Sequence, residues 1–237
     1  MDLMTEQRHA RRAHILETAR RLIAERGYHA VTVRDLAECC RVSVPTLYNQ
    51  FGGKDALLGA AIEDHFNRAL LSTQLPDARK GLPRLLAIID ACAMHIVELD
   101  DYHRRLLEAF GSLEATAEIQ LRMARRLVAV MSEDLSELKR QRRLAAWIDV
   151  KLLAGQINSA VISSALIWSG GHWPGNHLLA GMRYGTGMVL LGALRGAAAR
   201  DVEARVSDAQ QGLLAAGQHN SKERRLRSRR PNHNMEA

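Results

Sequence analysis

Two short helices joined by a tight turn are the arrangement that this sequence prescribes most strongly near its N-terminus. Thr32 has the side chain of an N-cap, and the helix that it opens extends through about residue 40. Pro45 fits only in the first turn of a helix, so the next helix starts at Ser43 or Val44. Gly52-Gly53 then breaks the chain, which limits that helix to about two turns.

The rest of the chain also has the periodicity of helices. Ile15, Ala19 and Leu22 recur at helical spacing in a first helix over residues 5–26. Five prolines and 4% aromatic residues, with many unbranched side chains, favour helix over sheet. We therefore predict an all-α protein, with further helices at about 54–72, 83–99, 102–110, 113–138, 144–168 and 175–214.

Two short helices braced by a longer one form a helix-turn-helix, whose second helix lies in the major groove of DNA. Val42, Leu47 and Phe51 can supply the buried side of the second short helix. Small or hydrogen-bonding side chains remain for its outer side, namely Pro45, Thr46, Tyr48, Asn49 and Gln50.

A family resemblance adds residue roles to this arrangement. Over roughly residues 10–65 the chain resembles the N-terminal domain of the TetR family of bacterial transcriptional regulators. The residues that carry the resemblance are Thr32-Val33-Arg34-Asp35-Leu36-Ala37, Val42-Ser43-Val44-Pro45-Thr46-Leu47-Tyr48-Asn49-Gln50-Phe51 and Lys54-Asp55-Ala56-Leu57-Leu58. It implies base or groove contacts from Arg34, Val44, Pro45, Thr46, Asn49 and Gln50, and phosphate contacts from Thr32, Ser43, Tyr48 and Lys54. Arg41 departs from the family pattern, which usually has glycine in the turn.

The positive charge is concentrated at the two ends of the chain. Of the net charge of +7, three charges belong to residues 1–54 and four to residues 218–237, while the middle is neutral. We expect a DNA-binding domain at 1–53, a helical body at 54–217 and a basic disordered tail at 218–237. Charge kept only for solubility is the alternative interpretation of the tail.

Small residues suggest where the body packs closely. Gly181, Gly185, Gly192 and Gly196 fall near one face of the predicted last helix. In the TetR family the last two helices pair with their symmetry mates as a four-helix bundle, so the resemblance implies a homodimer through these glycines. Close packing within one chain is the alternative.

A few side chains of the body suit a pocket for a small effector. Tyr102, Phe110, Trp147 and Trp168 are aromatic residues outside the DNA-binding domain. Asn158, with Gln156 and Ser159, adds polar groups to an otherwise apolar helix, as small-molecule pockets require. Because the body is neutral, we expect a mainly hydrophobic effector. Trp147 and Trp168 as ordinary core residues are the alternative.

Other functional classes find little support in the sequence. Three cysteines without a disulfide framework, and no signal peptide, predict a reducing cytoplasm and a protein that does not cross a membrane. Cys92 with His95, and His172 with His177, lack further zinc ligands, so we expect no metal, cofactor or catalytic site. We predict a dimeric, ligand-released repressor of a palindromic operator; a helical small-molecule carrier or sensor without DNA function, or a helical enzyme, is the alternative.

Overall fold

The computed structural model describes residues 3–27, 29–72, 80–97, 117–174 and 177–228. Its regular elements within these ranges are helices, which confirms the predicted all-α class; the pairing of Leu144 with Leu194 is an isolated bridge. The helices are α1 (Leu3–Arg26), α2 (Val33–Cys39), α3 (Val44–Phe51), α4 (Lys54–Ser72), α5 (Leu82–Val97), α6 (Ala117–Arg140), α7 (Val150–Ser169), α8 (His177–Leu191) and α9 (Ala197–Ser228).

A first hydrophobic core forms where α1, α2, α3 and the first half of α4 meet. Ile15 and Ile23 of α1, Leu36 of α2, Leu47 of α3 and Leu58 of α4 are fully or almost fully buried there. These apolar positions recur at helical spacing on each element, so every helix turns one face inward. The core fixes the direction of α3 relative to α1.

The body has a second core, built by α5 to α9. Leu85 of α5, Met131 and Leu135 of α6, Ile157 of α7 and Trp168 at the end of α7 are completely or almost completely buried in it. Helix α8 lies between α7 and α9 and packs against both. The body is therefore a layered helical bundle.

Charged side chains also tie the body helices together. Asp134 of α6 is fully buried, and Arg84 Nε donates to its two carboxylate oxygens at 2.8 and 3.0 Å. Asp90 of α5 accepts two hydrogen bonds from Arg183 of α8, at 2.8 and 2.9 Å, and also pairs with Arg205 of α9. Burial raises the pKa of Asp90, but the hydrogen bonds of both arginines outweigh it and hold that pKa below its usual 3.8.

α4 contributes to both cores. Its first half, with Leu57, Leu58 and Ile62, belongs to the first core, whereas Phe66 packs against the body. Glu63 also accepts a hydrogen bond from Arg122 of α6 at 3.0 Å. The first core thus continues beyond residue 53, where we expected the domain boundary.

Two predicted helices need correction. α7 begins at Val150, not at residue 144, because Asp149 caps it by accepting from the amide of Leu152 at 2.9 Å. The predicted helix 175–214 is two helices, since the chain turns at residues 192–196. Gly196 has a φ of +64 there, a conformation that a helix interior excludes. The predicted helix 102–110 lies outside the described residues.

The end of α9 also differs from expectation. The helix runs to Ser228, whereas we expected disorder from residue 218. Residues 218–228 are rich in Arg, Lys, Glu and Leu, whose side chains lose little rotamer freedom in a helix. Polar composition alone therefore does not mark where this helix ends.

By length and composition α7 could cross a membrane, with a mean hydropathy of 1.4. Such an apolar helix is also what the core of a helical bundle contains. Ala154, Ile157 and Val161 of α7 are buried among the other body helices, so one face of this helix belongs to the second core.

Candidate DNA-binding site

Thr32 caps α2, as the sequence predicted. Its backbone N–H donates to the Asp35 carboxylate at 2.7 Å, and its Oγ1 accepts from the amide of Asp35 at 3.2 Å. This reciprocal pair is a capping box. The hydrogen bonds from Thr32 lower the pKa of the Asp35 carboxyl, which keeps it ionised and the cap intact.

Ser43 is the N-cap of α3, which resolves the alternative between Ser43 and Val44. Its Oγ accepts from the amide of Thr46 at 3.2 Å, and its backbone is extended. The hydroxyls of Ser43 and Thr46 lie 2.7 Å apart and share a hydrogen bond. Pro45 follows in the first turn, where its missing N–H removes no helical hydrogen bond.

α3 buries one side and exposes the other. Leu47 is 2% exposed in the first core, whereas Pro45, Tyr48 and Asn49 are exposed. Half-buried side chains border this outer side, namely Val44, Thr46 and Gln50. The predicted reading residues therefore share one accessible surface, which a major groove can receive.

A second group of predicted contacts gathers at the turn between α3 and α4. Gly52 closes α3 with a φ of +87 and donates its N–H to the Tyr48 carbonyl at 2.8 Å. A Cβ at Gly53 would lie 3.8 Å from the Tyr48 ring, and Lys54 follows Gly53 in the chain. Burial lowers the pKa of Lys54, and the nearby Asp35 carboxylate partly offsets this.

Arg34 and Arg41 are both exposed on the α2 side of the turn. Arg41 has a φ of +53, so the turn does require the left-handed conformation that glycine adopts most easily. The backbone N–H of Val42 donates to the Ala37 carbonyl at 2.9 Å and closes this turn. The chain therefore keeps the helix-turn-helix geometry despite the missing glycine.

The sequence reasoning missed that α1 takes part in this surface. Arg8, Arg11 and Arg12 of α1 line a groove whose opposite wall includes Asn49 and Gln50 of α3. Arg12 also stacks on the Phe51 ring, with its guanidinium carbon 4.7 Å from the ring centroid. Phe51 is partly buried against the first core, as predicted.

The residues predicted to line an effector pocket do not lie together in the structure. Trp147 is 77% exposed in the connection before α7, so it lies neither in the core nor in an enclosed pocket. Gln156 and Ser159 are exposed on α7, whereas Asn158 and Trp168 are buried. The other two predicted residues, Tyr102 and Phe110, lie outside the described residues.

The four glycines predicted at the dimer interface do not lie on one helical face. Gly181 and Gly185 are on α8, but Gly192 and Gly196 are in the turn after it. A Cβ at Gly181 would overlap the Trp173 ring, and one at Gly185 would meet Ala160 of α7 at 3.7 Å. Gly181 therefore serves close packing within the chain, whereas Gly185 has room for a Cβ.

The structure also shows the state of the cysteines. Cys39 is exposed, Cys40 is buried, and all three thiols are free. Burial raises the pKa of Cys92 to about 12, which leaves it protonated and unreactive. In the part of the chain that the structure describes, no group of three His, Cys, Asp or Glu side chains is close enough to hold a metal ion.

Comparison with known proteins agrees with this architecture. The transcriptional regulator UidR of Escherichia coli is 34% identical over 76 residues, which is 32% of this chain and 39% of UidR. The repressor KstR2 of Mycobacterium tuberculosis is 27% identical over 150 residues, 63% of this chain and 69% of KstR2. The chain thus spans about two fifths of the length of UidR.

The fold agrees as well. The crystal structure of a TetR-family transcriptional regulator from Pectobacterium atrosepticum superposes with a TM-score of 0.66. It covers 83% of this chain and 99% of the other, at 24% identity. Residues 15–61 match the sequence model of the family described as bacterial regulatory proteins, tetR family, and they comprise α2, α3 and the adjoining halves of α1 and α4. Together these matches support the TetR family of bacterial transcriptional regulators for this chain.

Proposed function

We propose that this protein is a dimeric transcriptional repressor in the bacterial cytoplasm, which binds a near-palindromic operator and releases it when a small molecule binds to the body. The observation that carries the proposal is the α3 surface. Thr46, Asn49 and Gln50 lie on the accessible side of a capped helix of eight residues, while Leu47 anchors it. These are the side-chain types that reach base edges in a major groove.

The exposed side of α7 supports the dimer. Leu152 is 73% exposed, Leu166 48% and Ile162 45%, and Lys151 is the one charged residue of this helix. An apolar helix face of this length on a water-soluble chain marks an interaction surface. We assign it to a second copy, because two copies of α3 are needed to enter two successive major grooves.

Asn158 supports an effector site in the body. Its side chain is 7% exposed, on a helix whose other buried residues are mostly apolar. A polar side chain among apolar ones can fix the orientation of a bound small molecule. α4 offers the link to DNA, since it belongs to both cores and a shift of α4 would reorient α3.

The experiment for the operator starts from DNA. Fragments of the host genome that bind the protein are selected, and their affinity is measured by fluorescence anisotropy against a scrambled duplex at one salt concentration. We expect the selected site to contain two inverted half-sites with centres about 10 base pairs, or a multiple of that, apart. Equal affinity for selected and scrambled duplexes would favour a carrier or sensor without DNA function.

The effector site has its own test. Compounds that release the protein from its operator are titrated while tryptophan fluorescence is recorded. We expect Asn158→Leu to lower the affinity for such a compound about tenfold or more while operator affinity stays unchanged, because the amide is lost from the body alone. Gln156→Leu, at an exposed position on the same helix, is the control. Equal ligand affinity in the wild type and Asn158→Leu would remove Asn158 from the site.

A further inference from the structure

A groove runs between α1 and α3, and the proposed function uses only its α3 wall. It is a concavity of about 590 Å³, with Arg8, Arg11 and Arg12 on the α1 wall and Thr46, Asn49 and Gln50 on the α3 wall. The arginines precede residue 15, where the match to the family's sequence model begins, and the roles that the resemblance implies start at Thr32. The family resemblance therefore assigns them no role.

The chemistry of the groove suits an anion. None of its lining residues is acidic. Arg8 and Arg11 form no ion pair or hydrogen bond with any residue that the structure describes, so their charges are available to a partner. Arg12 is held in place by its contact with the Phe51 ring. Guanidinium groups are among the side chains that most often contact phosphate oxygens in proteins that bind DNA. Three of them are clustered in this groove.

The position of the groove beside α3 indicates which DNA phosphates its arginines would contact. The α3 wall is made by the same three side chains that we propose to read bases. A helix that lies in the major groove has a sugar-phosphate strand on each side, because the groove is about 12 Å wide. The side chains immediately beside α3 consequently face one of the two strands. Arg8 and Arg11 are exposed and line the groove on that side of α3.

We infer that this groove receives the sugar-phosphate strand that borders the major groove, with Arg8 and Arg11 as phosphate contacts. The first three turns of α1 thereby extend the DNA-binding surface beyond the helix-turn-helix. These arginines set affinity and its dependence on salt, whereas sequence preference remains with α3. The inference rests on the proposed function, since it requires that the protein bind DNA.

The test is a double variant, Arg8→Gln with Arg11→Gln, which keeps residues that favour helix. Affinities for the selected operator and for a scrambled duplex are measured by fluorescence anisotropy from 50 to 300 mM KCl, where each released phosphate contact changes the slope of log affinity against log salt by about 0.9. Because the dimer carries these two arginines in each copy, four contacts are lost, and we expect a slope about 3.6 smaller than in the wild type, with the ratio of operator to scrambled affinity unchanged. The control variant, Arg125→Gln with Arg126→Gln, changes the same charge at exposed positions of α6 and should keep the wild-type slope.

The outcomes separate this inference from the proposed function. A wild-type protein that binds neither duplex overturns the proposed function and the inference together. A wild-type protein that binds its operator, with an unchanged salt slope in a folded Arg8 and Arg11 variant, overturns the inference alone. Loss of the operator preference in that variant would also overturn it, because the arginines would then read bases. Circular dichroism establishes that the variants are folded.

Discussion

At the residue scale, single side chains at the ends of short helices determine the DNA-binding surface. Thr32 and Ser43 each accept a hydrogen bond from the amide three residues further on, so each fixes where its helix starts. Their positions could be predicted from sequence because cap chemistry is local. The accessibility of Trp147 could not, because it depends on which helices cover the connection between α6 and α7.

Arg41 gives a prediction at this scale. We expect Arg41→Gly to raise the free energy of unfolding by about 0.5 kcal/mol, because relief of the left-handed strain exceeds the extra entropy that glycine has in the unfolded chain. Urea denaturation measures this change. Arg41→Ala retains the positive φ and lacks the charge, so it should not gain stability. A Gly variant that is less stable than the wild type would show that the Arg41 side chain contributes more than the strain removes.

At the element scale, the helices were predictable where periodicity and caps agree, and less so where they conflict. α1 to α4 lie close to their expected ranges, since glycine, proline and N-cap residues mark each end. The last predicted helix was wrong because its apolar residues continue across the turn at 192–196 with helical spacing. That turn forms through tertiary contacts: Ala145 donates to the Ala193 carbonyl at 2.9 Å, and Arg195 donates to the Arg143 carbonyl at 2.8 Å.

Two glycines of this region lead to opposite predictions. A Cβ at Gly187 of α8 would overlap Val206 of α9, whereas one at Gly192 has its nearest neighbour at 3.6 Å. We expect Gly187→Ala to lower the free energy of unfolding by about 1–3 kcal/mol, because a β-branched neighbour in a packed contact cannot move aside easily. Gly192→Ala should change it by less than about 0.5 kcal/mol. Thermal or urea unfolding distinguishes them, and equal stabilities would show that α8 and α9 can separate without loss.

At the scale of the whole molecule, the chain has two hydrophobic cores that share α4. The sequence predicted both the DNA-binding domain and a helical body, because N-cap residues, glycine breaks and helical periodicity define their elements. The surface between two copies, which it placed at four glycines, stays a prediction. Gly181 packs against Trp173 of the same chain, since a small residue shows close packing without showing the partner, while an interface at Gly185 stays a prediction.

The dimer proposal makes a prediction at this scale. We expect Ile162→Glu with Leu166→Glu to weaken the dimer at least a hundredfold, because two charges in each copy would be buried across α7. Met94→Glu, on a 54% exposed residue of α5, should leave it intact. Sedimentation velocity across a concentration series measures both. A full-strength dimer of the α7 variant would place the interface on another face.

The central claim is that α3 reads the bases of an operator. The most direct measurement is a base-substitution scan of the selected operator by fluorescence anisotropy, with wild type and Asn49→Ala compared at the same salt concentration. We predict that the wild type disfavours the wrong base pair by about 1–3 kcal/mol at symmetry-related positions in the two half-sites, and that Asn49→Ala loses this discrimination at those positions alone. A folded set of Thr46→Ala, Asn49→Ala and Gln50→Ala variants that all keep the wild-type profile would contradict the claim.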